Sequence, residues 1–419
     1  MARVNAYPPD LARYVREHWP PESALALSQR HLELALAAAY QASLTSEETR
    51  PVRFRLLLTP ADALPESGSP NEGVLRMKFE RPRPFGSEEL RRLAPAVSFE
   101  TALVGAEPDG DALRIWGIAH SGPAWLAPTW GGRSLVPNWT YDPIVHVTGP
   151  GKLAVRSAGR LLGAIDHGEL VDVAVDVFES EWLPALFARE REEVRAEHDA
   201  AQAQTASPTA VEHSLVGTVG QHMLKRAIRI VRGARHGGLF LFVDRPPGDT
   251  GPVEGLRSKY AILQDEPARR YRTVLLRLLE AVAGATSSTS VGWSDFASNP
   301  SAEFESLEQA VFEWSRVIAN LTAIDGAVVL DKRLGLIGFG AEVSGELPAP
   351  ELIFRAFDTE GRDIRPDDVE NVGTRHRAAY RFVSKHPDGI AIAVSQDGGV
   401  TFVANRDGKV VFWEQNVSP

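Results

Sequence analysis

Short runs of uninterrupted apolar residues recur in the second half of the chain and limit the folds open to it. Such runs are typical of strands buried on both faces of a sheet. They occur at residues 239–243, 327–330 and 390–394. Segments with helical apolar spacing separate them, and further strands are predicted. The helices are expected at 215–231, 268–282, 306–321 and from Thr374, and the strands at 334–343, 400–404 and 410–413. This alternation predicts an α/β domain with a central mixed sheet flanked by helices.

The first half of the chain has a different pattern of apolar residues. Apolar residues at helical spacing begin at Leu11, and a segment rich in Leu and Ala spans 24–40. Strand-like segments separated by turn residues follow at 52–58, 74–79, 113–119, 144–147 and 170–178. Alternation of this kind indicates antiparallel pairing. We therefore predict an α+β domain before the α/β domain.

The boundary between the two is predicted near residues 202–210, which contain no large apolar side chain. Such a segment cannot bury a core and is typical of a linker. A charged helix is expected just before it, at 188–201. The predicted division is therefore a domain at 1–187, a charged helix with linker at 188–214, and a second domain at 215–419.

Composition excludes several kinds of function. The 419 residues include no cysteine, which removes disulfides, thiol nucleophiles and cysteine metal sites. The net charge of −10 argues against a nucleic-acid partner. No apolar run approaches the ~18 residues of a membrane span, and residues 1–9 lack a secretory signal pattern. A cytoplasmic location without a membrane partner is therefore expected.

One motif suited to anion binding is Gly373-Thr374-Arg375-His376-Arg377, followed by two alanines. Thr374 is predicted as the N-cap of a helix, because its hydroxyl can accept from a free backbone N–H. A helix N-terminus with two arginines and a histidine would attract phosphate oxygens. The alternative is an ordinary basic, solvated helix face. Arg226 and its basic neighbours at 225, 229 and 232 are expected on such a face of the helix from 215.

A second motif, Asp325-Gly326-Ala327, lies between a predicted helix and a buried strand. Asp-Gly is most often a turn. A carboxylate placed directly before a buried strand could instead hold a divalent cation and accept a hydroxyl proton.

Together and in this order, the two motifs resemble those of the diadenylate cyclase domain family. The family also has an apolar strand after the second motif that ends in Ser and a polar residue, here Ser395-Gln396. The resemblance spans about residues 217–413. It implies that each domain holds one ATP, and that a second copy of the chain meets it face to face. Each 3′-hydroxyl then attacks the α-phosphate of the other ATP, giving cyclic di-AMP and two pyrophosphates.

The resemblance also implies roles for individual residues. Asp325 would bind Mg²⁺ or Mn²⁺ and help to deprotonate the 3′-hydroxyl. Arg375, His376 and Arg377 would hold phosphates and count with Asp325 as catalytic. The remaining ATP-binding residues would act through backbone approach or hydrogen bonds. They are Gly326, Ala327, Gly373, Thr374, Ser395 and Gln396.

The sequence departs from the family pattern in three ways. The motifs are 50 residues apart (375 minus 325), and the extra length is assigned to 351–370. That segment carries four aspartates, which could gate the site or recruit metal, or could belong to a solvated insertion. They are Asp358, Asp363, Asp367 and Asp368. Ile324 replaces a metal-binding His of the membrane-anchored members, and Gln396 replaces an acidic residue. A catalytically inactive adenine-nucleotide-binding sensor is the alternative function, and an interaction module with accidental motifs is a more remote one.

The first half looks similar to a sensor domain found before some of these cyclases. Residues 113–117, 120–123 and 146–151 carry that similarity. It implies an unknown small-molecule ligand. The pocket is expected to use His120, His146 and four tryptophans, although these side chains could equally be ordinary core and surface aromatics. The tryptophans are Trp116, Trp125, Trp130 and Trp139.

Overall fold

A computed structural model shows two compact units. It describes residues 5–21, 23–64, 74–122, 130–133, 142–171, 175–203, 209–246, 248–263, 266–286, 288–344, 347, 349–369 and 372–415. The first unit comprises the described residues up to 122 and those of 142–171; the second comprises 130–133 and the rest from 175. The sequence predicted the boundary near residues 202–210. The structure instead divides the chain between the described residues 171 and 175, before the charged helix. The helix at 188–202 belongs to the second unit.

The first unit combines helices with a long, mostly antiparallel sheet. Its elements are α1 (Pro8–Glu17), α2 (Gln29–Ser43), β1 (Ser46–Glu47), β2 (Arg50–Pro51), β3 (Phe54–Leu58), β4 (Leu75–Pro84), α3 (Ser87–Leu93), β5 (Ala102–Asp109), β6 (Ala112–His120), β7 (Ile144–Gly149), β8 (Lys152–Ser157), β9 (Arg160–Asp166) and β10 (Glu169–Val171). The described strands of the main sheet run in the order β10-β9-β8-β7-β3-β5-β6-β4. The predicted strand at 170–178 is thus shorter than expected, and residues 177–179 form a 3-10 turn.

The helices of the first unit pack on one face of its sheet. Phe54, Leu56 and Leu58 of β3 share a buried core with Leu32 and Leu36 of α2. Side chains alternate between the faces of a strand. Arg55 and Leu57 therefore point to the opposite face, where Leu57 packs with Trp116.

The second unit contains the α/β fold that the sequence predicted. Its elements are α4 (Trp182–Ala185), α5 (Ala188–Gln202), β11 (Ala210–Val211), α6 (His213–Ala234), β12 (Gly238–Val243), β13 (Leu256–Ala261), α7 (Glu266–Gly284), β14 (Ser290–Val291), α8 (Trp293–Ser298), α9 (Ala302–Leu321), β15 (Ala327–Asp331), β16 (Leu336–Val343), β17 (Ile353–Ala356), β18 (Ile364–Asp367), α10 (Thr374–Lys385), β19 (Ile390–Val394), β20 (Val400–Arg406) and β21 (Lys409–Gln415). The mixed sheet has the order β13-β16-β15-β12-β19-β20-β21-β17-β18. The predicted fold class, a mixed sheet flanked by helices, is confirmed.

Helices cover both faces of this sheet. One core joins α6, α7 and α9 to Phe240, Val328 and Ile392, and the other joins α10 to the alternate residues of the same strands, such as Leu241 and Val329. Burial on both faces explains why β12, β15 and β19 appear in the sequence as continuous apolar runs. Among the described helices, none combines the length and apolar character needed to cross a bilayer.

Residues Trp130–Arg133 pack within the second unit although their neighbours in sequence belong to the first. Gly131, with φ of +78°, lies so close to α6 that a Cβ there would be 2.2 Å from the His222 carbonyl oxygen. The Arg229 guanidinium stacks 3.2 Å from the Trp130 ring centroid. Burial, with Lys225 and Arg226 nearby, lowers the pKa of His222 to about 3. The segment is therefore part of the interior of the second unit.

Glu308 of α9 anchors this segment. Its carboxylate accepts from the Arg133 backbone N–H at 2.9 Å and from Arg133 Nε at 2.8 Å. It also accepts from Arg226 Nη2 at 2.5 Å. The side chains of Arg133 and Arg226 are only 2% and 5% exposed. Arg226 was expected on a solvated face, and that prediction was wrong because Arg226 is buried and pairs with the partly buried Glu308 carboxylate.

We predict that Glu308→Ala destabilises the second unit by about 3–5 kcal/mol, because it leaves two buried guanidinium groups without a counter-charge. Urea unfolding followed by tryptophan fluorescence measures the change. Glu313→Ala is the control, since Glu313 lies on the same helix in an exposed pair with Arg316. That variant should lose no more than about 1 kcal/mol. Equal losses in the two variants would contradict the anchoring role.

Candidate functional site

The two sequence motifs meet at one edge of the second sheet. β12 and β15 are parallel neighbours, with Phe240 opposite Val328. Both strands therefore begin at the same edge of the sheet, where Gly237 precedes β12 and Asp325 lies two residues before β15. β19 runs antiparallel on the other side of β12 and pairs Val394 with Gly238. Ser395 therefore follows at the same edge.

The first turn of α10 brings Arg375 to this edge. Its Nη2 donates to the His236 carbonyl at 3.0 Å. Gly237 has φ of +68°, and a Cβ there would lie 2.6 Å from Arg375 Nη1 and 2.8 Å from the Val394 carbonyl oxygen. Only glycine therefore fits beside this guanidinium group. Arg375 therefore lies beside β12 and β19, whereas Asp325 precedes β15 and contacts Lys259 of β13, on the other side of β15.

The N-cap of α10 lies one residue earlier than predicted. Gly373, with φ of −63° and ψ of 163°, is the N-cap, and Thr374 is the first helical residue. No side chain caps the helix, so the prediction of Thr374 as the N-cap was wrong. The exposed Gly373 and Thr374 leave the first turn of the helix accessible. Its free N–H groups can therefore receive an anion.

Asp325 is fully exposed and lies beside a lysine that the sequence analysis did not identify. Lys259 Nζ of β13 donates to the Asp325 carbonyl at 3.3 Å and lies 3.8 Å from the Asp325 carboxylate. The same ammonium group is 3.4 Å from Glu342 of β16. Strand β13 is polar and mostly exposed, so no apolar pattern marked it. Its pairing with β16 brings Lys259 to the site.

The packing around Gly326 and Ala327 explains why small residues occupy these two positions. Gly326 has φ of +118°, and a Cβ there would be 2.5 Å from the Gly340 carbonyl carbon. The close neighbour that requires glycine is therefore the backbone of β16. Ala327 is 1% exposed and belongs to the core beneath α10. Neither observation depends on a nucleotide, and a role of these residues in ATP binding stays a prediction.

His376 is half-buried, with Nε2 3.0 Å from Thr401 Oγ1. Burial lowers the pKa of His376, with Glu414 and Asp397 opposing the shift and Arg375 adding to it. It is therefore neutral at pH 7 and acts as a hydrogen-bonding group rather than a cation. Arg377 is exposed. It lies two positions after Arg375, so the two side chains leave α10 in different directions.

Ser395 and Gln396 begin the turn after β19. Ser395 Oγ donates to Asp397 and lies 3.1 Å from the Gly399 carbonyl, while Gln396 is exposed. Arg232 Nε at the end of α6 donates to the Gly398 carbonyl at 2.8 Å. The turn is therefore held by internal hydrogen bonds, and its hydroxyl lies next to the Gly237 edge.

The acidic segment assigned to the insertion forms a hairpin. β17 and β18 pair antiparallel, and β17 also pairs with β21. Burial pushes the pKa of Asp358 upwards, but backbone N–H donors led by Asp363 and Arg362 lower it overall. Asp358 therefore closes the hairpin turn. This arrangement gives the segment a structural role at the edge of the sheet.

The residues around Asp325 partly fit a divalent cation. The described parts of the chain contain no group of three or more His, Asp or Glu side chains that could hold a metal by themselves. Mg²⁺ is often bound by one or two carboxylates together with substrate phosphates. The exposed Asp325 carboxylate fits that use, with Glu342 on the other side of Lys259.

Of the four tryptophans of the predicted aromatic pocket, two lie among the described residues, and they belong to different units. Trp116 is buried in the first unit, where Nε1 donates to the Thr59 carbonyl at 2.9 Å. Trp130 belongs to the second unit. Trp125 and Trp139 lie outside the described residues. His120 is exposed and His146 is buried, so these two histidines have different surroundings.

A basic group occupies the sheet face of the first unit that points away from α2. Arg55 of β3 lies directly opposite His146 of β7. Ile144, two residues before His146, lies opposite Arg156 of β8. Directly opposed residues share a face, as do residues two apart on one strand. Arg55, His146 and Arg156 therefore share this buried face.

Arg55 carries the least compensated charge in this group. It is fully buried, and none of its three guanidinium nitrogens has a hydrogen-bond partner among the described residues. Burial lowers the pKa of Arg55 to about 10, against an opposing effect of Glu100. Arg55 therefore keeps its charge at pH 7. Such a group is costly unless an anion meets it.

Comparison with known families identifies part of the first unit. A family model described as "Probable sensor domain DACNV" matches residues 22–120. This domain is the N-terminal sensor domain of diadenylate cyclase proteins. The match includes α2 and the strands from β3 to β6, and therefore Arg55. No curated protein and no solved structure matches the chain.

We predict that Arg55→Met stabilises the first unit by about 1–4 kcal/mol, because it replaces a buried, unsatisfied charge with an apolar side chain of similar length. Urea unfolding of the full chain measures the change. Arg53→Met is the control. Arg53 lies two residues before Arg55, is exposed, and stacks over the Phe99 ring. It should change stability by no more than about 0.5 kcal/mol. A loss of stability in Arg55→Met would mean that Glu100 compensates the charge.

Proposed function

We propose that this chain is a diadenylate cyclase that condenses two ATP molecules into cyclic di-AMP and two pyrophosphates in the cytoplasm. The observation that supports it best is that both motifs lie at the same edge of one sheet, Asp325 before β15 and Arg375 beside Gly237 before β12. The order of the two motifs and the DACNV match in the first unit agree with it.

In this proposal, the reaction depends mainly on positioning and charge. The 3′-oxygen of one ATP attacks the α-phosphorus of the other, the bond to pyrophosphate breaks, and the hydroxyl proton passes to the Asp325 carboxylate. A second copy of the chain, facing the first, brings the second ATP. In nucleotidyl transfer of this kind, the protein forms no covalent bond to the substrate and acts by positioning it and stabilising its charge.

The basic groups would hold the triphosphate. Arg375 is fixed by the His236 carbonyl and presents its remaining donors to phosphate oxygens. The open first turn of α10 adds backbone N–H groups and the positive end of the helix dipole. Lys259 would neutralise charge near the reacting hydroxyl. His376, Arg377, Ser395 and Gln396 remain proposed ATP contacts, as do the glycines and Thr374 of the two motifs.

Asp325 would hold Mg²⁺ or Mn²⁺ together with the phosphates of bound ATP. The ion supplies neutralisation of the developing phosphate charge. Asp325 is well suited to share an ion with substrate because its carboxylate is fully exposed.

We also propose that the first unit regulates the cyclase by binding a small molecule. The DACNV match supports a sensor role. The buried Arg55 guanidinium group, which has no hydrogen-bond partner among the described residues, supports an anionic ligand.

A catalytically inactive adenine-nucleotide sensor is the second candidate. It is favoured by the Lys259 ammonium group beside the Asp325 carboxylate, which competes with a cation for the same oxygens. In that case ATP would bind at the same edge without turnover.

We predict that the purified chain converts ATP to cyclic di-AMP in the presence of Mg²⁺ or Mn²⁺, as detected by mass spectrometry. Asp325→Asn should lower product formation by at least about a hundredfold, because the base and metal ligand are lost. ATP affinity, measured by calorimetry, should change less than about threefold. Asp388→Asn is the control, because Asp388 is an exposed aspartate before β19, at the opposite edge of the sheet.

The same experiment separates the two candidates. ATP binding without product in the unmodified chain would support the inactive sensor and reject the cyclase. Failure of ATP to bind or to raise the unfolding temperature would reject both.

A further inference from the structure

The second unit contains a cavity away from the candidate ATP site. Its cavity volume is about 60 Å³, and the surrounding empty space, which includes open solvent at its mouth, totals about 620 Å³. It lies between α4, α5, α6 and α7 and the turn after β15. Its wall is mainly apolar, with Leu183, Phe187, Val194, Val216, Leu224, Leu275 and Leu334.

Two polar groups reach this cavity without partners of their own. Tyr271 is 5% exposed, and its hydroxyl has no hydrogen-bond partner. Arg191 Nε is also buried and unpartnered within the described residues. Burial raises the pKa of Tyr271, which therefore stays a hydrogen-bond donor, and lowers the pKa of Arg191. A buried polar group without a partner is costly, so each favours a ligand that can accept a hydrogen bond.

Both groups lie against the same stripe of α6. A Cβ at Gly217 would be 2.8 Å from Arg191 Nη1, and one at Gly220 would be 3.4 Å from Tyr271 Oη. Residues three apart on a helix are neighbours on one face. The guanidinium and the phenol can therefore reach the same small acceptor group, and the two glycines let these side chains lie close to α6.

The charges of the cavity wall leave one cation uncompensated. Arg272 pairs with Glu197, Arg333 with Glu193, and Lys332 with Asp244. The buried Glu190 pairs with Arg189. Among the described residues that line the cavity, Arg191 is the cation that has no carboxylate. The cavity therefore matches a single negative charge on an apolar body.

We propose that this cavity binds a small apolar monocarboxylate, with its carboxylate held by Arg191 and Tyr271 and its hydrocarbon part against the leucine and valine wall. This site is separate from the proposed ATP site, and its occupancy does not rest on the cyclase proposal. Lys332 and Leu334 follow the carboxyl end of β15, whereas Asp325 precedes its amino end. The two sites therefore lie at opposite edges of the sheet.

Helix α6 connects the cavity to the ATP site. Its N-terminal half lines the cavity with Val216, Gly217 and Gly220. Its C-terminal end holds the turn after β19 through Arg232, and the His236 carbonyl just beyond it receives Arg375. A ligand in the cavity would therefore press on the helix that positions Arg375.

The test measures binding of hexanoate and benzoate to the full-length chain, by thermal unfolding and calorimetry. Hexan-1-ol and benzyl alcohol are the neutral probes, and acetate is the probe without an apolar body. We expect the unfolding temperature to rise with hexanoate or benzoate concentration and to respond much less to the other three. Equal responses to acids and alcohols, or no response to the acids, would overturn the proposal.

Variants locate the site. Tyr271→Phe removes a hydroxyl that has no hydrogen-bond partner in the described part of the chain, and it should weaken hexanoate binding about threefold to tenfold. Arg191→Met should weaken it at least about tenfold and abolish the preference over hexan-1-ol. Arg316→Met, an exposed arginine of α9, should leave the affinity unchanged. Unchanged affinity in Arg191→Met would place binding elsewhere and refute the assignment.

Two glycine substitutions distinguish a loss of hexanoate binding from a loss of protein stability. Gly220→Ala places a methyl group in ordinary contact with Tyr271 Oη, where the carboxylate would sit. It should leave the free protein as stable or more stable, because alanine favours a helix, yet weaken hexanoate binding about fivefold. Gly233→Ala on the same helix has nothing within 4 Å and should affect stability alone. Equal affinities in these two variants would contradict the proposed position of the carboxylate.

Discussion

The parallel pairing of β12 with β15 determines the chemistry available to the second unit. Because the two strands start at the same edge, the residues before them, Gly237 and Asp325, lie at that edge although 88 positions separate them (325 minus 237). β19 runs the other way and ends there. α10 then packs across these strands and returns Arg375 to the same edge. One strand pairing and one helix crossing therefore bring both motifs to the same edge of the sheet.

This arrangement reverses the usual placement of a ligand on an α/β sheet. Ligands of open parallel sheets generally bind beyond the carboxyl ends of the strands. In this unit the candidate nucleotide site lies at the amino ends of β12 and β15, and the apolar cavity lies at the carboxyl end of β15. α6 reaches from one to the other. The unit thus offers two chemically different positions on one rigid scaffold, a polar, exposed edge and a mainly apolar recess.

The sequence predicted the buried part of the second unit well and its exposed part poorly. β12, β15 and β19 were found within one residue because burial on both faces leaves an unbroken apolar pattern. The exposed β13 and the hairpin strands β17 and β18 carry no such pattern, and Lys259 was missed with β13. Thr374 was misplaced as the N-cap because glycine can take that position with little loss.

Buried polar residues were the other difficulty. Arg226 has the helical position of a surface residue, and only the fold reveals Glu308 beside it. Arg55 stands in an apolar strand, and its position on the face away from α2 follows from the alternation of β3. The two motifs themselves were visible in the sequence, but their proximity depends on strand pairing, which local patterns do not specify. Their proposed chemistry therefore gains its spatial basis from the fold.

The position of Trp130–Arg133 has a practical consequence for dissecting this molecule. A fragment that starts at the predicted linker, or even at residue 175, would retain every strand of the second sheet but lack the four residues that fill the space against α6 and α9. Glu308 would keep Arg226 and lose Arg133, and the backbone of His222 would lose its neighbour. The second unit is therefore not a continuous stretch of chain. Its packing is completed by four residues from the first half of the sequence, so a fragment meant to reproduce this unit must include them.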